Sequence, residues 1–176
     1  MRATVTHLEM RAPFPERSLA EPGPLPAGVT FSHDPTPELS EYRAVYDLIG
    51  SDWYWVNRKA MRDAQLGPLI SSDKTEIYYL KSGDRIIGFL ELNFRNFPVV
   101  EIVFIGLEKT YIGQGLGLFL IRSALKIVQS RNASSIRIQT CTLDHPRAIL
   151  LYQSHGFTAV SRQNVILKDD RFHIEP

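Results

Sequence analysis

Leu107-Glu108-Lys109-Thr110-Tyr111-Ile112-Gly113-Gln114-Gly115-Leu116-Gly117 joins a β-rich run to a helical stripe through three glycines. On its upstream side, residues 99–107 read as a strand; downstream, Leu116, Phe119, Leu120, Ser123, Ala124, Ile127 and Val128 recur at helical spacing. A strand that turns through glycines into a helix is anion-binding architecture. Residues without Cβ let the main chain approach a diphosphate, and the unpaired N–H groups of the first helical turn point at it with the positive end of the helix dipole. Without a ligand, the same segment is a plain tight connection. Two other phosphate motifs fail here, since G-x-G-x-x-G and G-x-x-x-x-G-K-[ST] both require glycine where Leu118 stands.

Working outward, residues 76–80 and 85–94 are β-rich and joined by Ser82-Gly83-Asp84, so with 99–107 they predict an antiparallel meander too tightly linked for crossover helices. After the helix, Ile136-Arg137-Ile138-Gln139-Thr140 is a further strand, completing a strand-helix-strand unit. Pro146 opens a shorter helix with Ala148, Leu151, Tyr152 and His155 on one side, and Gly156 ends it. Residues 165–167 are expected to close the sheet. Toward the beginning, Thr4-Val5-Thr6-His7-Leu8 alternates like a short strand and Val29-Thr30-Phe31 like another. Between them, residues 11–27 hold five prolines and predict a surface arm rather than a domain boundary. Residues 37–49 carry helical spacing with Gly50 placed to stop it, and a second helical stretch is expected from Asp52, broken around Gly67-Pro68.

The totals limit what this scaffold does. At 176 residues, 44% hydrophobic, the chain supports one core, and residues 1–176 are expected to be a single domain. A net charge of +1 supplies no field to gather nucleic acid or an anionic membrane, so neither is an expected partner. No apolar run reaches the roughly 20 residues of a membrane span. Thr4, Thr6, His7 and Glu9 interrupt what a secretory signal needs to be continuous, and the single cysteine, Cys141, excludes an internal disulfide framework and a zinc cluster. A cytoplasmic setting without a bound metal is the expectation.

Residues 75–160 resemble the GCN5-related N-acetyltransferase superfamily, whose pattern [RQ]-x-x-G-x-[GA] sits at a strand-to-helix turn. Ile112-Gly113-Gln114-Gly115-Leu116-Gly117 matches it except at the first place, and Ala148-Ile149-Leu150-Leu151-Tyr152-Gln153-Ser154-His155-Gly156-Phe157 is similar to the second signature, A-[IL]-x-x-Y-x-x-x-G-F. The resemblance implies an α/β fold with a central, mostly antiparallel mixed sheet flanked by helices and splayed where coenzyme A enters. It also implies acetyl-CoA as co-substrate and direct acetyl transfer to the primary amine of a small-molecule or peptide acceptor. The turn, from Ile112 and Gly113 through Gln114, Gly115, Leu116, Gly117 and Leu118, would hold the diphosphate, while Ile105, Gly106 and Leu107 would align pantetheine. His145 stands where the family commonly has Asn and is assigned to the cofactor; Ile112 replaces the usual Arg or Gln, a contact that Gln114 or Lys109 would have to supply. A non-catalytic acyl-CoA-binding module of the same fold is the alternative, and dimerisation through a sheet edge or the arm is left open.

Amide formation needs an amine freed of its proton and a thiolate that regains one. Tyr152 occupies the position where the family's tyrosine often protonates the departing sulfur; as an alternative it is core packing beside Ala148 and Leu151. For the base, Glu101-Ile102-Val103-Phe104 looks like the histone-acetyltransferase branch, where a glutamate at this strand position activates the amine. Strand alternation sets Glu101 with Val99, Val103 and Ile105; the alternative is an exposed strand end paired with Arg85 or Arg95. Glu91 is the reserve base and acceptor contact, or else part of a solvated face. In this family the segment holding Trp53 and Trp55 borders the acceptor cleft, and its aromatics either cover the acceptor or pack a helix. Asp144 and His145 are proton-relay or cofactor candidates that also read as an ordinary helix entry. A covalent role for Cys141 is set aside, since direct transfer dominates the superfamily.

Overall fold

The computed structural model describes residues 1–168 and 171–174. In chain order the strands are β1 (Arg2–Arg11), β2 (Val29–Asp34), β3 (Thr75–Ser82), β4 (Arg85–Asn93), β5 (Val99–Leu107), β6 (Ser135–Cys141), β7 (Thr158–Lys168) and β8 (Arg171–Ile174). The helices are α1 (Leu39–Gly50), α2 (Asp63–Ile70), α3 (Leu116–Ser130) and α4 (Ala148–Ser154). The eight described strands form one sheet in the order β2-β3-β4-β5-β6-β1-β7-β8. Its pairs are antiparallel except β5 with β6, whose parallel alignment α3 permits by carrying the chain back to the starting edge.

The β5–β6 seam shapes the molecule. Parallel pairing covers only Val99 to Ile102 against Ser135 to Ile138. Beyond it, β5 stays with β4 while β6 stays with β1 through Val5↔Cys141, and the sheet opens into a wedge. A bulge marks the parting: Leu92 faces Ile102 but Glu91 faces Phe104, leaving Val103 as an extra residue. One extra residue reverses the alternation, so Phe104 packs toward α1 while Ile105 joins the core under α3. The predicted grouping of Glu101 with Ile105 is therefore corrected.

Each sheet face has its own core. Leu116, Leu120, Ile121, Ala124 and Val128 of α3 pack with Ile87, Leu90, Val100, Ile102, Ile136 and Tyr152, and Tyr42, Val45, Tyr46 and Ile49 of α1 pack with Leu66, Ile77, Tyr79 and Phe89. The proline-rich arm straps the α3 side, where Gln129 Nε2 donates to Ser18 O at 3.1 Å and Lys126 pairs with Glu21.

Several predicted details change. β1 is longer than the short strand expected, a ten-residue strand in the sheet's interior, paired on both sides. β8 lies outside β7, so residues 165–167 do not close the sheet. No long helix starts at Asp52: a 3-10 turn covers Ser51–Trp53, Tyr54 takes a left-handed conformation (φ 56), and regular helix resumes at Asp63. Gly67-Pro68 lies inside α2 rather than breaking it, because proline removes one N–H bond while Leu66 and Ile70 anchor the helix in the core. Gly50 is the last residue of α1 at φ −91, and its missing side chain makes room for Trp55, whose Cβ would lie 2.5 Å from a Cβ built on Gly50.

Candidate active site

The wedge is a cavity of about 580 Å³, a volume typical of small-molecule sites. β5 lines one wall from Ile102 to Leu107, the glycine turn forms one end, and α4 contributes Ala148, Leu151 and Tyr152. β6 and the loop after it supply Gln139, Thr140, Cys141, Asp144 and His145.

At the turn, Gly113 and Gly115 hold φ of 89 and 83, with no atom within 4 Å of where a Cβ would stand. Among the described residues, none accepts a hydrogen bond from the main-chain N–H groups of Gly113 through Leu118. Six consecutive free donors at the start of a fifteen-residue helix, facing open space, fit a diphosphate. The Gln114 side chain folds back to donate to Thr110 O at 3.0 Å, and Lys109 pairs with Asp52, so neither side chain stands free over the turn. Ile112 puts an apolar side chain on the cavity wall.

Aromatics form the opposite wall. Trp55 stacks at an angle on Tyr46 and Phe104, with ring centroids 5.5 and 5.0 Å away, and fits a niche left by Gly50 and Gly106. Trp53 meets the His145 ring edge-on at 5.1 Å. His145 Nδ1 accepts the Arg147 main-chain N–H at 3.2 Å, which leaves the proton of the neutral ring on Nε2. Behind this wall, Arg58 donates to Glu91 Oε1 at 2.6 Å and to Tyr42 Oη at 3.2 Å, and the Tyr42 hydroxyl donates to Glu91 Oε2 at 2.6 Å. Glu91 is 1% exposed and lines no part of the cavity, so it is neither on a solvated face nor within reach of an acceptor there. Its role is to fix the Trp53–Arg58 loop; stripping one partner from such a buried pair costs about 3–5 kcal/mol.

Tyr152 lines the cavity with its hydroxyl free of described partners, and burial, followed by the nearby Asp144 charge, pushes the phenol up so that it stays protonated. Asp144 Oδ2 accepts from Thr140 Oγ1 at 2.7 Å and from the Cys141 N–H at 2.8 Å; burial pushes the carboxyl up against these bonds. Burial and Asp144 also push the Cys141 thiol up, which suits a neutral thiol rather than a nucleophile. Glu101 stands half-buried at the closed end of the wedge, next to Ile102 and outside the cavity lining. It pairs with neither Arg85 nor Arg95: Arg85 is bound to Glu108, and Glu101 has no described partner.

Two features escaped the sequence. Val5, His7 and Gln163 line the cavity because β1 inserts between β6 and β7, a long-range pairing with no local signal. The Gly50–Gly106 niche depends on tertiary approach. Asp144 was visible, but its reach into the wedge depends on the splay.

A sheet splayed beside a glycine turn whose free amides open the next helix is the scaffold of an acyltransferase. Residues 42–157 match the model of the acetyltransferase (GNAT) family, and the chain belongs to that family. It is 30% identical over 95 residues to the mycothiol acetyltransferase of Corynebacterium efficiens, covering 54% of this chain and 32% of that protein. The chain thus spans about a third of that relative. The fold resembles a GCN5-related N-acetyltransferase from Sphaerobacter thermophilus, with a TM-score of 0.64, 15% identity, and coverage of 91% of this chain and 49% of that one. It also resembles an aminoglycoside acetyltransferase from an uncultured soil metagenomic sample, with a TM-score of 0.61, 14% identity, and coverage of 73% and 88%. No described helix is long and apolar enough to cross a membrane.

Proposed function

We propose that this chain moves an acetyl group directly from acetyl-CoA to a primary amine on a small-molecule or peptide acceptor, in a reducing compartment such as the cytoplasm. The observation that carries this reading is the run of six unpaired amides at the mouth of the wedge. Family membership and the acetyltransferases among its relatives support acetyl transfer in general. The turn from Ile112 to Leu118 holds the diphosphate, the free edge of β5 at Ile105, Gly106 and Leu107 aligns the pantetheine arm, and His145 flanks it. Trp53 and Trp55 cover the acceptor. Tyr152 gives its hydroxyl proton to the leaving sulfur, a role open to a phenol that rests protonated inside the cavity. Glu101, the base implied by resemblance, lies outside the cavity lining, so the group that frees the amine is sought inside the wedge.

Two measurements test this. Saturating acetyl-CoA or desulfo-CoA should raise the melting temperature, since ligand at a hundred times Kd stabilises by about 2.7 kcal/mol. Thiol release should follow addition of a primary amine from a panel of amino acids, aminosugars, polyamines and peptides, and Tyr152→Phe should slow it roughly 100-fold with coenzyme binding retained. No shift at millimolar coenzyme sinks the proposal. The second reading, a module that binds acyl-CoA without consuming it, is favoured by apolar Ile112 at the turn; it predicts the shift with no thiol released. Light scattering on the same samples decides whether two copies associate.

A further inference from the structure

We propose that Asp144, rather than Glu101, takes the proton from the acceptor amine. This rests on the acetyl-transfer reading and names the base within it. Among the described residues that line the cavity, Asp144 is the sole carboxylate. Its two oxygens are differently placed. Oδ2 is fixed by Thr140 Oγ1 and the Cys141 N–H, whereas Oδ1 makes no close hydrogen bond among the described residues and is not among the sealed, unsatisfied polar atoms. The Cys141 thiol and the Trp55 indole N–H act on the carboxyl as weaker hydrogen-bond donors, holding it in place without closing it off from the wedge. One oxygen thus anchors the group while the other stays available inside the wedge, an arrangement suited to a base that must hold its position while accepting a proton.

The surroundings match the task. Asp144 shares the cavity lining with Tyr152 from α4, Cys141 from β6 and His7 from β1, with His145 and Arg147 in its own loop. Tyr46 and Tyr54 are the titratable groups on the aromatic side. The Asp144 charge is felt at the Tyr152 hydroxyl, so the proposed base and acid share one compartment. Burial lifts the Asp144 carboxyl, which strengthens it as a base.

An acceptor entering as an ammonium ion loses one proton to Asp144 Oδ1. The freed nitrogen lone pair forms the C–N bond at the thioester carbon, and the C–S bond breaks with its electron pair going to sulfur. The second nitrogen proton passes to the Tyr152 hydroxyl as that hydroxyl's own proton goes to sulfur, and Asp144 returns its proton to solvent. The products are amide, free thiol and one proton.

Asp144→Asn keeps the shape and leaves a carbonyl oxygen to accept from Thr140 and Cys141, while replacing the free oxygen with a donor. With acetyl-CoA and the amine panel, this variant should lose about 100-fold or more in kcat/KM on strongly basic amines near neutral pH. The deficit should shrink as pH rises toward the amine's own pKa, and be small for hydroxylamine, which is already unprotonated. Coenzyme binding should not change, and Glu101→Gln should stay within about twofold of wild type at every pH. Wild-type rates on basic amines, an equal loss on basic and weakly basic amines, or the basicity-dependent loss appearing in Glu101→Gln would each overturn the assignment. If Asp144→Asn fails to melt cooperatively, Asp144→Ser decides instead: formate restoring turnover on basic amines supports the role, and no restoration overturns it. A wild-type protein that binds acetyl-CoA yet releases no thiol with any amine removes the transfer reading itself, an outcome separate from any variant effect.

Discussion

Asp144 shows how a group useful in a cleft is carried at a cost to the fold. Its folded carboxyl sits above the ordinary value of 3.8, chiefly through burial, so the native state binds this proton more tightly than the unfolded chain does. Below the ordinary value both states are protonated and the group is neutral in its effect. As pH rises through the folded value, the native state must bear a desolvated charge, and stability falls. Asp144→Asn carries no such charge, so it should melt above wild type at neutral pH, with the gap closing in acid below the ordinary aspartate range; parallel thermal melts at the two pH values check this. Tyr152 is lifted by the same burial, and there the effect preserves the proton an acid needs. Of these two residues, Tyr152 was legible because a signature surrounds it. Asp144-His145-Pro146 reads equally as a helix entry, and only the wedge separates the alternatives.

Elements were legible where periodicity ran long and local. The β3–β4–β5 meander and the β5–α3–β6 unit follow from alternation, helical spacing and short links, whereas the Trp53–Arg58 loop does not, because its course is dictated by a niche between α1 and β5. That niche is testable. A Cβ on Gly106 would lie 2.6 Å from Ile49 Cγ2 and 3.0 Å from the Trp55 ring, so Gly106→Ala must push the aromatic wall outward. We expect a loss of about 1–3 kcal/mol in denaturant melts and a shift in tryptophan emission. Gly67→Ala, which meets nothing within 4 Å inside α2, is the control and should gain up to about 1 kcal/mol without altering emission. The bulge at Val103 had no sequence signal either, since an extra residue in a strand shows only against its partner.

At the scale of the molecule, the decisive feature is β1, whose neighbours are β6 and β7, more than a hundred positions further along the chain. Alternation at Thr4 to Leu8 announced a strand but held no information on where it would dock. Removing residues 1–11 should leave β6 and β7 without a common partner, expose Ile138 and Phe157 from the core, and abolish cooperative melting by circular dichroism. Retention of a sharp transition would show that the rest of the sheet closes by itself. The same arrangement makes biosynthesis part of the folding problem. Residues 2–11 leave the ribosome well before their second partner, which is complete only after residue 168, a delay on the order of ten seconds at ordinary elongation rates. Both edges of the strand are bare until residue 141 is made and one stays bare until residue 168, which makes the nascent chain a natural client for holding chaperones and makes synonymous changes that slow the ribosome between β1 and β7 a lever on yield.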